Sequence, residues 1–368
     1  MDSRAVVIVA ASGRALAASA RRAGYVPVVV DWFGDSDTRS LAQAHAGVDG
    51  LAHGFTRDTL DAALAKVIGT HEPCGAVCGT GFEDRPELIA HLARRLPILG
   101  NDAETIASLN DPEAFAALCR DCGIGHPEIA VVCPEDAQGW LAKRIGGAGG
   151  SHISAATGPI ARHGYYYQRA AGGVAISAQF LADGAHTLVL GFSEQWTAPT
   201  GRQPFRYGGA VRPAPLAQKA ADALADAVRR INAASQLRGL NSADFLVEGD
   251  RFRLLEINTR PSATLDIFEP PGGSLLALHI SACAGVLAAR APELTGAAAT
   301  AIVYAGRDTI VPALEWPEWT ADRPHAGSPV KAGEPLCTVL ATAASAAEAR
   351  QLVESRRASV LTWTHATH

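Results

Sequence analysis

The segment ADFLVEGDRFRLLEINTR, residues 243–260, carries three oxygen-bearing side chains, Asp244, Glu256 and Asn258, in a pattern typical of two strands joined by a tight turn. Side chains alternate between the faces of a strand, so Glu256 and Asn258 share a face. Carboxylates that converge on an apolar face repel each other, and a hard cation such as Mg²⁺ relieves that cost because it prefers oxygen ligands. The hairpin alone leaves open the alternative of solvated strand-end groups.

The convergence of these side chains depends on the register of the hairpin. Placing Asp244 opposite Glu256 leaves a three-residue loop at 249–251, whereas a two-residue Gly-Asp turn opposes Asp244 to Leu255 and separates the set. The metal hypothesis therefore predicts the longer loop. The alternation of side chains along the strand also predicts that Leu254 shares a face with Glu256.

A lysine precedes a run of glycines in LAKRIGGAGGSHI, residues 141–153. Glycines allow backbone N–H groups to approach phosphate oxygens closely, and Lys143 supplies a positive charge, so the segment suits a nucleoside triphosphate. It lacks the G-K-[ST] ending of a Walker A loop, and a flexible hairpin stays open as the alternative. His152, beside the glycines, is the histidine best placed to act there.

Residues 1–101 alternate between short β-rich runs and helical patterns, which indicates βαβ units and a small open parallel α/β domain. Ligands of such sheets bind at the carboxyl ends of the strands, where the segments SGR, DWF and GTGFED come together. Ser12 and Arg14 are candidates for an anionic substrate and Glu83 for an amine, with ordinary turn chemistry as the alternative.

The remaining chain mixes helices with antiparallel strands. The predicted parts are helices at 102–125, a β-rich unit at 127–190, a long helix at 214–236, the hairpin, a helix at 274–290, and a β-rich tail at 297–368 with a helix near 345–355. The fold class is therefore a combination of α/β and α+β.

Composition excludes several classes of function. The net charge of −5 gives no field that favours nucleic acid or an anionic membrane, and no apolar run is long enough to span a bilayer. Seven scattered cysteines, an odd number, indicate a reducing cytoplasm rather than a disulfide framework. Cys119 and Cys122 form a lone C-x-x-C without the second pair that a zinc site needs.

The joint pattern resembles the ATP-grasp superfamily. It consists of K-x-x-G-G-x-G-G from Lys143, the strand YYYQRAAGG after it, and a distal D…E-x-N-x-R hairpin, in matching order over residues 102–290. The resemblance implies an ATP-grasp fold with an N-terminal α/β domain at 1–101, an ATP-grasp domain at 102–296 whose lid is at about 128–190, and a C-terminal β-rich extension at 297–368. It also implies ATP and Mg²⁺ as cofactors.

Site residues follow from the resemblance by position. The metal ligands implied are Asp244, Glu256 and Asn258. The residues implied to bind ATP are Lys143, Gly147, Gly149, Gly150, Ser151, Gln168, Arg169, Ala170 and Ala171. The catalytic cations implied are Arg260 and Lys143. One departure is the sequence LNDPEAF, where Asp111 and Pro112 stand in place of a second phosphate-binding lysine, and Arg212 is the cation that we expect to replace it.

The resemblance implies a ligase that activates a carboxylate as an acylphosphate for attack by an amine, with release of ADP. The patterns SGR, DWFGDSDT and EINTRPSAT are similar to predicted carboligases and, loosely, to ligases that join glutamate to tyramine or tyrosine in methanofuran-type coenzyme biosynthesis. The expected partners are a small-molecule carboxylate and an amine, without nucleic acid or membrane, and a homodimer is the assembly considered.

Two alternatives stay open at this point. One is a reaction like that of biotin carboxylase, with bicarbonate as the acid and a separate carrier, since the chain has no MKM sequence. The other is a non-catalytic nucleotide-binding regulatory protein, which the missing lysine favours and the complete set of Asp244, Glu256, Asn258 and Arg260 disfavours.

Overall fold

The computed structural model describes residues 4–51, 53–69, 72–158 and 163–365. Its N-terminal elements are β1 (Ala5–Ala10), α1 (Arg14–Arg22), β2 (Val26–Asp31), α2 (Ser36–Leu41), β3 (Ala44–Gly47), α3 (Arg57–Val67), β4 (Pro73–Cys78) and α4 (Pro86–Ala93). The strands form a parallel sheet in the order β3-β2-β1-β4. β1 is a run of apolar residues buried on both faces, as a parallel strand between helical layers requires.

Two helices lead from this sheet to a small antiparallel one. The elements are α5 (Ala103–Asn110), α6 (Pro112–Asp121), β5 (Ile129–Ala130), β6 (Trp140–Arg144), β7 (Ile153–Ala155) and β8 (Tyr165–Arg169). Asp111 separates the helices, because its carboxylate accepts from the N–H groups of Glu113 and Ala114 at the start of α6. The small sheet has the order β5-β8-β6-β7 and ends at Arg169, whereas the expected lid extends to about residue 190.

The rest of the chain builds a large antiparallel sheet. Its elements are β9 (Val174–Asp183), β10 (Thr187–Thr197), β11 (Tyr207–Arg212), α7 (Gln218–Ser235), β12 (Arg238–Glu248), β13 (Arg251–Asn258), α8 (Leu265–Phe268), α9 (Leu275–Cys283), β14 (Ala297–Tyr304), β15 (Thr309–Ile310), β16 (Thr320–Ala321), β17 (Pro329–Val330), β18 (Pro335–Ala343) and α10 (Ala346–His365). The strand order is β13-β12-β9-β10-β11-β14-β18-β16, with β15 and β17 paired separately. The C-terminal tail therefore continues the same sheet through the pairing of β11 with β14.

The fold combines α/β and α+β parts, as the sequence predicts. The domain limits at residues 101 and 296 stay predictions. The closing helix α10 runs well beyond the predicted 345–355. No helix in the described ranges is both long and apolar enough to cross a bilayer.

The β12–β13 hairpin has two registers along its length. Next to the turn, Glu248 pairs with Arg251, so the loop contains only residues 249–250 and the predicted three-residue loop is wrong. Farther from the turn, Asp244 pairs with Glu256, which confirms the predicted opposition of the two carboxylates.

A β-bulge at Leu255 reconciles these registers. Leu254 and Ile257 are both buried in the core beneath α7. Residues three apart on a regular strand point to opposite faces, and the extra residue lets both side chains enter one core. Burial of both side chains therefore stabilises the bulge. The bulge also places Leu254 and Glu256 on opposite faces of the strand, so the prediction that they share a face is wrong.

Strand β9 separates the core from the site because its side chains alternate. Ile176, Ala178 and Phe180 pack into the core beneath α7, while Ser177 and Gln179 are buried on the other face. Since β9 pairs with β12 over most of its length, this apolar layer supports the strand that carries the predicted metal ligands.

We expect Phe180→Ala to destabilise the protein by about 3–5 kcal/mol, because Phe180 is fully buried and truncation leaves a cavity. Val286, which is 62% exposed, provides the control, and Val286→Ala should change the free energy of unfolding by less than about 0.5 kcal/mol. Denaturant unfolding followed by circular dichroism measures both. Equal effects of the two substitutions would contradict the assigned core.

Candidate functional site

Asp244, Glu256 and Asn258 come together on the face of the hairpin opposite the α7 core. Asn258 Nδ2 donates to Asp244 Oδ2 at 3.1 Å, and Gln195 Nε2 donates to Asp244 Oδ1 at 3.4 Å. Burial raises the pKa of Asp244, and the negative charge of the facing Glu256 raises it further. The two carboxylates are therefore held together against their mutual repulsion.

This donor set fits a hard divalent cation. No group of three His, Cys, Asp or Glu side chains suited to a metal occurs in the described part of the chain, so a third protein ligand would have to come from the amide of Asn258. Two facing carboxylates match the ligand chemistry that Mg²⁺ prefers. Asn258 directs its Nδ2 atom at Asp244 and its Oδ1 atom at Arg260, so its amide would have to rotate to offer an oxygen to a cation. A cation between Asp244 and Glu256 would remove the repulsion that raises the pKa of Asp244.

Lys143 approaches the same cluster from the small sheet. Its Nζ atom donates to Gln168 Oε1 at 3.2 Å, and the side chain is almost fully buried. Burial alone lowers the pKa of Lys143, but Tyr166 and Glu256 together raise the pKa above its ordinary value. The structure thus brings a buried ammonium group within electrostatic range of the predicted metal ligands.

The glycine run forms a tight loop that lies against neighbouring segments. Gly149 and Gly150 have φ values of +67° and +69°, and the Gly149 carbonyl accepts from the Tyr207 N–H at 2.9 Å. A Cβ atom on Gly150 would lie 2.0 Å from the Phe205 carbonyl oxygen, so glycine is required there. Ser151 is exposed beside the loop.

Gly147 closes this loop against the next side chain. A Cβ atom on Gly147 would lie 2.3 Å from the His152 ring, so glycine lets the imidazole pack directly on the backbone. Burial lowers the pKa of His152, while the charge of Glu256 opposes that shift. His152 therefore lies in the electrostatic field of the metal cluster, as its position beside the glycines suggests.

The segment expected to hold adenine consists of the last two residues of β8 and the two residues after it. The Gln168 side chain is occupied by Lys143 rather than left open, and the Arg169 guanidinium donates to the Gln138 carbonyl at 2.9 Å. The Ala170 N–H donates to the Gly139 carbonyl at 2.8 Å. Within the described ranges no hydrogen bond engages the Ala171 backbone, so its polar atoms are available to a ligand.

Arg260 links the hairpin to the N-terminal domain. Its Nε atom lies 2.5 Å from Glu83 Oε1, and a terminal nitrogen donates to Asn258 Oδ1 at 3.1 Å. Burial alone raises the pKa of Glu83, but the Arg260 charge and the N–H of Gly81 lower it overall. The sequence suggests that Glu83 binds an amine, whereas in the structure its carboxylate pairs with Arg260 and orients that side chain beside the predicted metal ligands.

Two predicted cations lie elsewhere. Arg212 donates to the carbonyls of Ile267 and Gly296, so its guanidinium is engaged behind α8 and the structure does not bring it to the cluster. Arg14, a candidate for an anionic substrate, is instead neutralised by ion pairs with Asp266 at 2.5 Å and Asp322 at 3.2 Å. The position of Asp111 confirms that no lysine stands at the start of α6.

A cavity of about 440 Å³ lies next to this cluster, between the N-terminal sheet, the segment after the hairpin and the C-terminal tail. Pro261, which follows Arg260, and Thr80 contribute to its wall, as does Asp322 from the tail. Asp322 was missed from the sequence, because its environment is created by Arg14, which lies 308 residues earlier in the chain.

Comparison with known proteins identifies the kind of domain that contains these residues. Residues 121–264 match the family model for the ATP-grasp domain, and this range includes the glycine loop and the hairpin. The predicted resemblance to the ATP-grasp superfamily is confirmed over this range. The matched ATP-grasp region contains Lys143, Asp244, Glu256, Asn258 and Arg260.

Other comparisons support the ATP-grasp fold over nearly the whole chain. The biotin carboxylase domain of 2-oxoglutarate carboxylase from Hydrogenobacter thermophilus, a dimer in complex with MgADP, ADP and bicarbonate, superposes with a TM-score of 0.72 at 13% identity, over 95% of this chain and 88% of that one. Biotin carboxylase from Campylobacter jejuni gives 0.70 at 14% identity, over 94% and 89%. At these identities the similarity establishes the fold.

A curated relative is the large chain of carbamoyl phosphate synthase from Thermus thermophilus, which is 23% identical over 323 residues. The match includes 81% of this chain but only 30% of the relative, so this chain spans under a third of that protein's length.

The pairing of Glu83 with Arg260 generates a prediction on stability. We expect Glu83→Gln to lower the free energy of unfolding by about 3–5 kcal/mol, because it leaves a largely buried guanidinium without its carboxylate. Lys219→Ala, which removes a fully exposed ion pair with Asp250, should leave the melting temperature unchanged. Thermal and denaturant unfolding measure both effects, and a Glu83→Gln protein as stable as the parent would refute the coupling.

Proposed function

We propose that the protein is an ATP- and Mg²⁺-dependent ligase that phosphorylates a small-molecule carboxylate and joins the acyl group to an amine, releasing ADP and phosphate. The observation that carries this proposal is the opposition of Asp244 and Glu256 beside Asn258, with Lys143 and Arg260 directed at the same cluster. The ATP-grasp fold supports it.

The protein's own groups supply most of the chemistry. Lys143, held by Gln168, contributes a buried positive charge for the nucleotide phosphates. Arg260, oriented by Glu83, stabilises negative charge on the transferred phosphoryl group and on the acylphosphate. Magnesium, when bound by Asp244, Glu256 and Asn258, neutralises phosphate charge.

The glycine loop protects the reactive intermediate from water. Acyl phosphates hydrolyse readily, so the site must be closed while one exists. The contact of the Gly149 carbonyl with Tyr207 and the close approach of Gly150 to Phe205 bring the loop down on β11. Gly147, Gly149, Gly150 and Ser151 thus form the cover over the phosphates in this proposal.

The identities of the amine and of the acid are a more specific part of the proposal. An amino-acid or glutamate ligase of methanofuran-type coenzyme synthesis is the specific activity that the sequence resemblance suggests. A second candidate is a bicarbonate-dependent carboligase, which the superposition on biotin carboxylase domains over 95% of the chain favours. Cytoplasmic location and a homodimer belong to the same proposal.

We expect Arg260→Ala to lower kcat about 10²–10³-fold, the usual cost of removing one group that stabilises transition-state charge. The affinity for MgATP should change little, and the melting temperature, measured alongside, separates this effect from loss of folding. Arg253→Ala, which alters an exposed arginine of the same hairpin, is the matched control and should retain full activity. The assay is formation of ADP and phosphate with a panel of amino acids, amines and bicarbonate. Full activity in Arg260→Ala would contradict the assigned role.

The same assay separates the candidate reactions. Turnover that requires both a carboxylate and an amine supports the ligase, and turnover that requires bicarbonate without an amine supports the carboligase. Formation of AMP contradicts the acylphosphate route. ATP binding without product across the panel would support the regulatory alternative.

A second prediction needs no knowledge of the acid or amine. Mg²⁺ should tighten binding of a non-hydrolysable ATP analogue to the parent protein, and Asp244→Asn should remove most of that enhancement because a carboxylate ligand is lost. Asp250→Asn, in the exposed turn of the same hairpin, is the control and should keep it. Isothermal titration calorimetry with and without Mg²⁺ measures the effect. An unchanged enhancement in Asp244→Asn would remove the metal site from the account.

A further inference from the structure

The cavity of about 440 Å³ beside Asp244 and Glu256 has in its wall a carboxyl group that accepts no hydrogen bond from the described residues. Asp35 is 5% exposed and lines the cavity, and no hydrogen bond reaches its side chain within the described part of the chain. It stands just before α2, but its side chain does not cap that helix. A buried carboxyl group without a donor is costly, so its retention in a cavity wall points to a ligand.

The neighbouring carboxylates are already satisfied, which singles out Asp35. Asp31 accepts from the N–H groups of Gly13 and Gly34, and Asp37 accepts from the Arg323 N–H at 3.0 Å. Asp322 accepts from Ser12 and Arg14. The guanidinium of Arg14 is in turn shared between Asp266 and Asp322.

This wall of the cavity therefore has more carboxyl groups than cations. Asp266 and Asp322 share the guanidinium of Arg14, and among the described residues no ion pair is formed by Asp35. Burial and the charges of Asp322, Asp37 and Asp31 raise the pKa of Asp35 to about 8, so the carboxyl group keeps its proton at neutral pH in the absence of a ligand. A positively charged group placed in the cavity would favour the ionised form of Asp35 and pair with it.

The remaining walls are largely apolar. Trp32 and Phe33 from the loop after β2, Leu265 from α8, and Ile302 and Leu336 from the C-terminal tail all contribute. The volume of about 440 Å³ is within the range of small-molecule sites. A ligand suited to this cavity combines an apolar body with a positive charge.

The cavity reaches the reaction centre at another part of its wall. Pro261 and Gly79 lie next to the Arg260–Glu83 pair. Burial raises the pKa of the Tyr207 hydroxyl, and the charge of the nearby Asp244 raises it further. The Tyr207 hydroxyl is buried without a hydrogen-bond partner among the described residues. A molecule in this cavity therefore adjoins the groups that would form and consume an acylphosphate.

We propose that this cavity binds the amine substrate as an organic ammonium ion with an apolar, aryl-sized body, and that Asp35 recognises its positive charge. The inference rests on the proposed ligase function in treating the amine as a substrate. The recognition itself concerns only Asp35 and the cavity wall. The C-terminal tail takes part in this site because it contributes Asp322, Ile302 and Leu336.

The test compares three probes of similar size and shape that differ in charge: phenethylamine, 2-phenylethanol and phenylacetate. Calorimetric titration of the full chain, without nucleotide or Mg²⁺, should show phenethylamine binding at least about tenfold more tightly than 2-phenylethanol, which corresponds to about 1.4 kcal/mol. Phenylacetate should bind most weakly. Binding of phenylacetate or 2-phenylethanol as tight as that of phenethylamine, or no binding by any probe, overturns the proposal.

Variants then assign the preference to Asp35. Asp35→Asn, a nearly isosteric change, should reduce the preference for phenethylamine over 2-phenylethanol to less than about threefold, since the neutral amide gives no charge attraction. Asp49→Asn, at an exposed position, is the matched control and should keep the preference. Retention of the preference in a folded Asp35→Asn protein contradicts the role of Asp35. The comparison of probes on the parent protein stays decisive if that variant fails to fold.

Failure of this inference and failure of the ligase proposal give different results. The ammonium preference should persist in Asp244→Asn, because the probes are measured without metal or nucleotide. If the preference is present but no ligation product forms with any acid, the binding inference stands and the ligase proposal fails. If ligation occurs while the preference is absent, only the inference fails.

Discussion

The opposition of Asp244 and Glu256 across the β12–β13 hairpin is the interaction on which the rest of the site depends. Two carboxylates in a buried setting repel each other, and the fold keeps them together through the burial of apolar side chains on the other face. Leu254 and Ile257 enter the core beneath α7, and the bulge at Leu255 makes this compatible with a two-residue turn. The hydrophobic core thus sets the register that brings the polar groups together.

Three parts of the chain converge on this hairpin. The small sheet brings Lys143, the N-terminal domain brings Glu83, and the hairpin itself brings Arg260 next to Asn258. The C-terminal tail extends the same large sheet and completes the wall of the adjoining cavity. In the proposed function, the nucleotide site and the substrate cavity would share one boundary, as a reaction that passes an activated acid to a second substrate requires.

The parts of the site that depend on local sequence patterns can be predicted from the sequence. The glycine run after Lys143 and the polar positions of the hairpin are readable because spacing along a strand determines which side chains share a face. The bulge at Leu255 cannot be predicted from this spacing, because it depends on whether Leu254 or Leu255 packs into the core beneath α7. The partners of Arg14 and Arg212 depend on contacts with segments far along the chain, so an arginine near a glycine or a proline gives no sign of them.

The central claim is that Asp244 and Glu256 hold a divalent cation against the phosphates of a nucleotide. Anomalous diffraction from crystals grown with Mn²⁺ and ADP, with Mn²⁺ standing in for Mg²⁺, tests it most directly. The account predicts an anomalous peak between the two carboxylates, within coordination distance of both and of a phosphate oxygen. A nucleotide bound elsewhere, or a peak that neither carboxylate touches, would contradict it.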